Sequence, residues 1–411
     1  MGKLRIFGAV AALSLTVGVA HADCGISSGN ISVLANDFPA LHAVVSTAES
    51  CAGDGITFNK NHTAKHNEIS VAALSADPAE YTSKIVANSS IVPLLNKDLI
   101  RPLDDLVAKH GQSLKPNQLI RIDGKVMAVA FMANAQHLFV RQDILDQVGM
   151  PAPTSWEEVL ETAKVIREAG IMEHPFAALF KSDWNLGEEF VNMYVGHGGK
   201  FFEPGTAKPA INNETGIATL NMLKALTEYT NPDFLTYNTS TVAPLWESGE
   251  IAIAQLWGST GGQLLDDEGS TPEVVAATVP LAAPTVAGGN TPASTLWWDG
   301  FTIAKNISDE DAEATFIAMV HGISDDMVRA NNDSAVWLMD AYVPGKAAEG
   351  VAATAAAGAE PYPMLPFMGL MHQALFQELP DFLQGNETAE QALADIEAAY
   401  VTAATEQGFL K

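Results

Sequence analysis

Apolar and polar positions along this chain follow two periods. Short apolar runs at Ile31-Ser-Val-Leu-Ala35, Lys84 to Ala87, Ile251-Ala-Ile-Ala254 and Thr302-Ile-Ala304 are too brief for helices and read as buried strands. Between them the apolar residues recur at helical spacing. The clearest case starts at Thr154-Ser-Trp-Glu157, which reads as a capping box that satisfies two orphan backbone donors. Trp156, Val159, Leu160, Ala163 and Ile166 then fall on one face, and Gly170 supplies the stop. Thr388-Ala-Glu-Gln391 opens a last helix in the same way, and the segment from Pro39 to Ser50 reads as a helix returning antiparallel to the first strand. Strands alternating with amphipathic helices predict an α/β protein with largely parallel sheets. The Ala/Gly-rich stretch from Val351 to Ala359 fits a helix or a loop equally.

Length changes the picture. The 411 residues exceed what one hydrophobic core organises, so two lobes are expected. Two extended stretches suit a passage between lobes: Met127 to Ala133, and Val279-Pro-Leu-Ala-Ala-Pro284 with the Gly/Pro-rich run to Pro292. The start of the chain is an export signal. Lys3 and Arg5 precede an apolar run from Ile6 to Ala20, and Ala20-His21-Ala22 is a small-x-small cleavage site, so residues 1–22 are removed. Asp23 before Cys24 argues against lipidation. The chain has 22 Lys+Arg against 49 Asp+Glu, a formal charge of −27, which argues against nucleic acid and anionic membrane surfaces as partners.

An exported chain meets an oxidising compartment, and its two cysteines are Cys24 and Cys51. A five-residue strand and a twelve-residue returning helix span about the same length, roughly 17–18 Å, so their distal ends meet and a Cys24–Cys51 disulfide follows. Two buried free thiols are the alternative.

Six passages in order resemble one family: Leu99-Ile-Arg-Pro-Leu-Asp-Asp105; Asp123-Gly-Lys125 before an apolar strand; the stretch from His137 to Gly149; Pro153-Thr-Ser-Trp-Glu-Glu158; Trp246-Glu-Ser-Gly-Glu-Ile-Ala-Ile253 with Leu256-Trp-Gly258; and the stretch from Phe382 to Leu393. They resemble the family 1 extracellular solute-binding proteins of ATP-binding-cassette sugar importers, the family of the maltodextrin-binding protein. Phe139-Val-Arg-Gln142 stands where that family usually has Tyr-Tyr-Asn-Lys, and Ala130-Phe131 where its crossover has proline. The resemblance implies a type II periplasmic binding protein: two lobes, each a mostly parallel sheet flanked by helices, with a ligand cleft between them. The expected division is 23–132 plus 282–325 for one lobe and 133–281 plus 326–411 for the other. It also implies a soluble periplasmic protein that binds a sugar or polyol by hinge closure and delivers it to inner-membrane permease subunits.

Sugars present apolar C–H faces and a rim of hydroxyls, so their site needs aromatic plates with short polar side chains, placed at strand ends. Trp297-Trp-Asp-Gly300 meets this best, with one indole as platform and Asp299 as hydroxyl acceptor. Trp257-Gly-Ser259, Asp183 with Trp184, Asn36 with Asp37, and Asn88 are the other candidates; Trp156, Trp246 and Trp337 read as helix core. No Gly-x-Ser-x-Gly elbow, P-loop, dinucleotide fingerprint or His-Glu-x-x-His occurs, and no metal or cofactor is expected. A secreted carbohydrate-active enzyme with two cleft carboxylates is the competing reading.

Overall fold

The computed structural model describes residues 24–411; the expected leader and its cleavage site lie outside them. Twelve strands form two sheets: β1 (Gly29–Ala35), β2 (Ile56–His62), β3 (Ser83–Ala87), β4 (Leu119–Ile122), β5 (Lys125–Asn134), β6 (Gln136–Arg141), β7 (Phe176–Ala177), β8 (Ile253–Trp257), β9 (Thr278–Leu281), β10 (Thr295–Ile303), β11 (Val336–Trp337) and β12 (Glu360–Pro361). The larger sheet runs β11-β5-β10-β3-β1-β2, with β4 on β5 and β12 on β10; the smaller runs β7-β8-β6-β9. Helices flank both. The pairings β1–β2, β1–β3 and β7–β8 are parallel, while β10 runs antiparallel between β3 and β5, and β6 antiparallel between β8 and β9. Both sheets are therefore mixed: β10 runs against its neighbours β3 and β5 in the larger sheet and β6 against its neighbours β8 and β9 in the smaller.

Each sheet has its own core. Ile31, Val33, Phe131, Phe301 and Phe316 fill one side of the larger sheet; Val86, Ile91 and Met127 fill the other. Phe139, Trp156, Phe176, Tyr194 and Trp246 fill the smaller sheet's core. Trp337 is buried as expected, on β11 rather than a helix.

The helix Trp156–Glu168 buries Trp156, Val159, Ala163 and Ile166, the face its periodicity indicates. Its cap sits one residue later than the pattern suggested. Ser155 Oγ accepts from Glu158 N (3.2 Å), and the Glu158 carboxylate reaches back to Thr154 N (2.7 Å). Trp156 N is already taken by the Thr285 carbonyl (2.9 Å), which fixes where the helix starts and frees Glu157 to accept from Ala287 N (2.9 Å). The ambiguous Ala-rich stretch is helical as far as Ala356, within the helix Glu349–Ala356.

The expected disulfide is present: Cys24 and Cys51, with Cα atoms 5.6 Å apart, join the segment ahead of β1 to the end of the helix Pro39–Glu49.

The chain passes between sheets at three places. A single residue, Ala135, separates β5 from β6. The segment after β9 stays with the smaller sheet through Thr285 and Ala293 before β10 joins the larger. The third passage follows β11, through residues 338–348, with Val343 68% exposed. Met327, Val328 and Trp337 belong to the larger sheet's core, and β11 pairs with β5.

Candidate functional site

The carboxyl ends of β1, β2 and β3 and the end of β8 bring loops of both sheets to the junction. A cavity of about 720 Å³ lies there, lined by Phe38 after β1, Thr239, Ser259 and Gln263 from the smaller sheet's side, and Asp333 and Lys346 near the third crossing. Beside it the cleft floor is tied together by one amide. Asn134, the last residue of β5, donates from Nδ2 to Ser259 Oγ (3.1 Å) and accepts from Ser259 N (3.2 Å). Gly258 has no room for a side chain, since a Cβ there would lie 2.1 Å from Val351 Cγ2.

Three of the expected tryptophans converge. Trp184, Trp257 and Trp297 lie 5.3–6.4 Å apart by ring centroid, Trp297 edge-on to the other two. Trp184 and Trp257 are half-buried; Trp297 is only 6% exposed. Its indole N–H donates to Glu188 Oε1 (3.0 Å) and Thr295 Oγ1 (2.8 Å). Tyr362 packs on Trp297 at 4.4 Å, and His372 stacks on Trp184 at 4.6 Å. His372 Nε2 donates to the Trp184 carbonyl (2.8 Å), so its Nδ1 accepts from the Tyr362 hydroxyl (3.0 Å). Burial pulls the imidazole down to about 4, which keeps it neutral in this role.

Trp298 turns to the opposite side of β10 and packs with Val86 and Ile91. Asn88 is buried and spends both ends of its amide there, donating to the Leu296 carbonyl (3.1 Å) and accepting from Trp298 N (2.9 Å). Through these two bonds it positions Trp298. Gly300 is likewise structural: it follows the β5–β10 register shift, where a Cβ would meet the Val129 carbonyl at 2.6 Å. Asp299 is half-buried, and no hydrogen bond or ion pair to its carboxylate occurs among the described residues; burial pushes it up to about 7.

The remaining candidates divide. Asp183 caps the helix Trp184–Gly196 through Asn185 N (2.9 Å) and pairs with Lys181 (2.9 Å). Asp37 is exposed and holds His42 at 2.7 Å, while Asn36 accepts from Asp37 N (2.9 Å). Ser259, half-buried, lines the cavity.

Sequence reading missed Asn134, Glu188, Tyr362 and His372. Glu188 and Glu189 are buried in the helix behind the tryptophans. Burial raises the Glu188 carboxyl well above its ordinary range and Glu189 to about 8. Their one sequence signal is the i, i+4 spacing of Glu188 and Asn192 in an otherwise apolar helix; both meet Thr295 Oγ1, at 2.7 and 2.8 Å.

Among solved structures, the fold is similar to maltose-bound MalE3 of T. maritima, at 19% identity and a TM-score of 0.77, covering 92% of this chain and all of that one. It is also similar to an ABC transporter solute-binding protein of Agrobacterium radiobacter K84 in complex with ribitol (19% identity, TM-score 0.78, 90% of this chain and 97% of that one). A third, from Agrobacterium vitis S4 with bound D-mannitol, shares 15% identity at a TM-score of 0.77, over 93% and 99% of the two chains. No described helix is long and apolar enough to cross a membrane. Residues 57–320, more than half of the chain, match the model of one family, and the chain belongs to it: it is a bacterial extracellular solute-binding protein.

Proposed function

We propose that this protein is the periplasmic substrate-binding component of an ATP-binding-cassette importer, that it takes a sugar or polyol between its lobes, and that it delivers this solute to membrane permease subunits. The observation that carries the reading is the meeting of aromatic and polar groups at the junction. Trp184 and Trp257 offer half-exposed indole faces, and Asp299 offers a carboxylate with no partner among the described residues. Flat apolar faces beside a hydroxyl acceptor suit a polyhydroxylated ligand. The structurally similar proteins carry maltose, ribitol and D-mannitol in their solved complexes, which supports the same class here. Export through the apolar leader and residence in the periplasm belong to the same reading.

The lobes in this reading are the two sheets with their helices, hinged at Ala135, between β9 and β10, and after β11. Three segments crossing one junction make domain rotation the expected motion. The test is calorimetric titration and thermal melting with maltose, ribitol and D-mannitol, followed by small-angle scattering. A cognate solute at a hundred times its Kd stabilises the fold by about 2.7 kcal/mol. The radius of gyration should fall on saturation. A tight ligand that leaves the radius unchanged removes the hinge from the reading; turnover of a glycoside removes the binding-protein reading itself.

A further inference from the structure

One buried cation has no counter-charge. Lys84 is the second residue of β3, fully buried, opposite Leu34 of β1 and Thr302 of β10, neither of them charged. Among the described residues its ammonium makes one hydrogen bond, to Asn67 Oδ1 at 2.7 Å, and no carboxylate pairs with it. The titratable neighbour on the helix packed above it is His66, whose Nδ1 is buried without a partner and whose ring is kept neutral by burial and by the charge of Lys84. The acids nearby are committed elsewhere or turned to solvent: Asp37 holds His42, Glu49 holds Lys60, and Glu68 is exposed. A buried ammonium with a single neutral acceptor is costly unless something completes its surroundings.

The partner of Lys84 stands at the end of the larger sheet that meets the junction. Asn67 is exposed in the first turn of the helix His66–Ser75, just beyond the carboxyl end of β2, the sheet end that also carries Asn36, Asp37 and Phe38. Lys84 and Val86 share a face of the larger sheet, and Trp298 packs with Val86. An ammonium is donor-only, so it fixes the amide of Asn67 with its oxygen inward and its two N–H donors outward. The wall thus presents a donor to the cleft with a positive charge directly behind it. A neutral solute would leave that charge unmatched when the lobes close over it.

We infer that this wall selects a solute bearing a carboxylate, a sugar acid such as a uronate or aldonate, with Asn67 as the contacting donor and Lys84 as the residue that positions and charges it. The inference rests on the sugar-binding reading and narrows it. Lys84 also draws its proton from the edge of its range, since burial lowers it to about 7 and an anion in front restores it.

The test is calorimetric titration of the mature protein with three matched pairs: D-galacturonate and D-galactose, D-glucuronate and D-glucose, D-gluconate and D-glucitol. In at least one pair the acid should bind about ten-fold or more tightly than its neutral partner. That preference should weaken from roughly pH 6 to pH 9, as the unliganded ammonium deprotonates. Asn67→Asp, which supplies the missing counter-charge and turns the donor into an acceptor, should abolish the preference, and so should Lys84→Met. Thermal melts report whether each variant folds, and Lys84→Gln replaces Lys84→Met if the latter does not. Neutral partners binding as well as the acids in every pair, or a preference that survives both substitutions, overturns the inference while maltose, ribitol or D-mannitol binding upholds the sugar reading. Binding of none of these compounds overturns both.

Discussion

The two walls of the cleft are built by opposite means. On the smaller sheet's side Trp184 and Trp257 stand on a dense support: Trp297 edge-on beneath both, Tyr362 and His372 behind, and two buried acids behind those. On the larger sheet's side the polar groups lean on one another. Asp37 holds His42, His42 stacks on His62 at 3.9 Å, and Lys84 reaches Asn67. The first arrangement fixes large apolar plates that lose little freedom when a ligand lands on them. The second can exchange partners as the lobes approach. A cleft with one rigid wall and one responsive wall separates holding a ligand from sensing it.

The comparison can be broken most severely at Trp297. Trp297→Ala removes a buried indole from the support and should cost about 3–5 kcal/mol of stability in denaturant melts. A loss below about 1 kcal/mol would mean that the aromatic wall stands without its floor. Next in size is the larger sheet's staple. Replacing Cys24 and Cys51 by serine reopens a 27-residue separation and should lower stability by about 3 kcal/mol, with ligand affinity unchanged. Mass spectrometry of unreduced protein checks the link itself. Trp257→Ala should do the reverse: it should weaken solute binding by about 1–3 kcal/mol and leave the melting temperature nearly as it was. Equal losses of affinity and stability at Trp257 would erase the distinction between plate and support.

The contrast is also sharpened through pH. Glu189 is raised from its ordinary 4.5 to about 8, so the folded state holds a proton that the unfolded chain has released between those values. Its contribution to stability is complete below about pH 4.5 and is lost as pH rises towards 8, at up to about 1.4 kcal/mol per pH unit. Lys84, lowered from 10.5 to about 7, acts in the other direction: its contribution is complete above 10.5 and is lost as pH falls through 7. Glu189→Gln should flatten the acid-side slope and Lys84→Met the alkaline-side slope, both readable in melts across pH. Identical pH profiles in the two variants would show that neither group titrates with folding.

How much of this was legible in the sequence follows from the range of each interaction. The helix face at Trp156 is written at i, i+3 and i+4, and the disulfide follows from lengths of adjacent elements; both are local. Of the three tryptophans that converge, Trp257 was the most approachable, because it ends β8 and the carboxyl ends of strands gather in open α/β sheets; Trp184 opens a helix and Trp297 lies inside β10. What stayed hidden joins residues far apart. Glu188 faces Thr295 and Trp297 across more than a hundred positions, and His372 reaches Trp184 across 188. No single-chain periodicity encodes such pairs. The cap at Trp156 slipped by one residue for the same reason, since a carbonyl at Thr285 decides it. Asn88 looked free because its two partners come from β10.

The three crossings also differ as places to build. Ala135 is one residue between two strands, and the segment leading into β10 is packed, so neither tolerates an insertion. The third crossing carries Val343, which faces solvent more fully than any other large apolar side chain described, in a stretch with no strand to disturb. A circularly permuted fluorescent domain spliced in at Val343 would be strained differently by the open and closed forms. The passage that binds the lobes least tightly is therefore where lobe rotation converts most directly into light, turning a transport component into a reporter of its own solute.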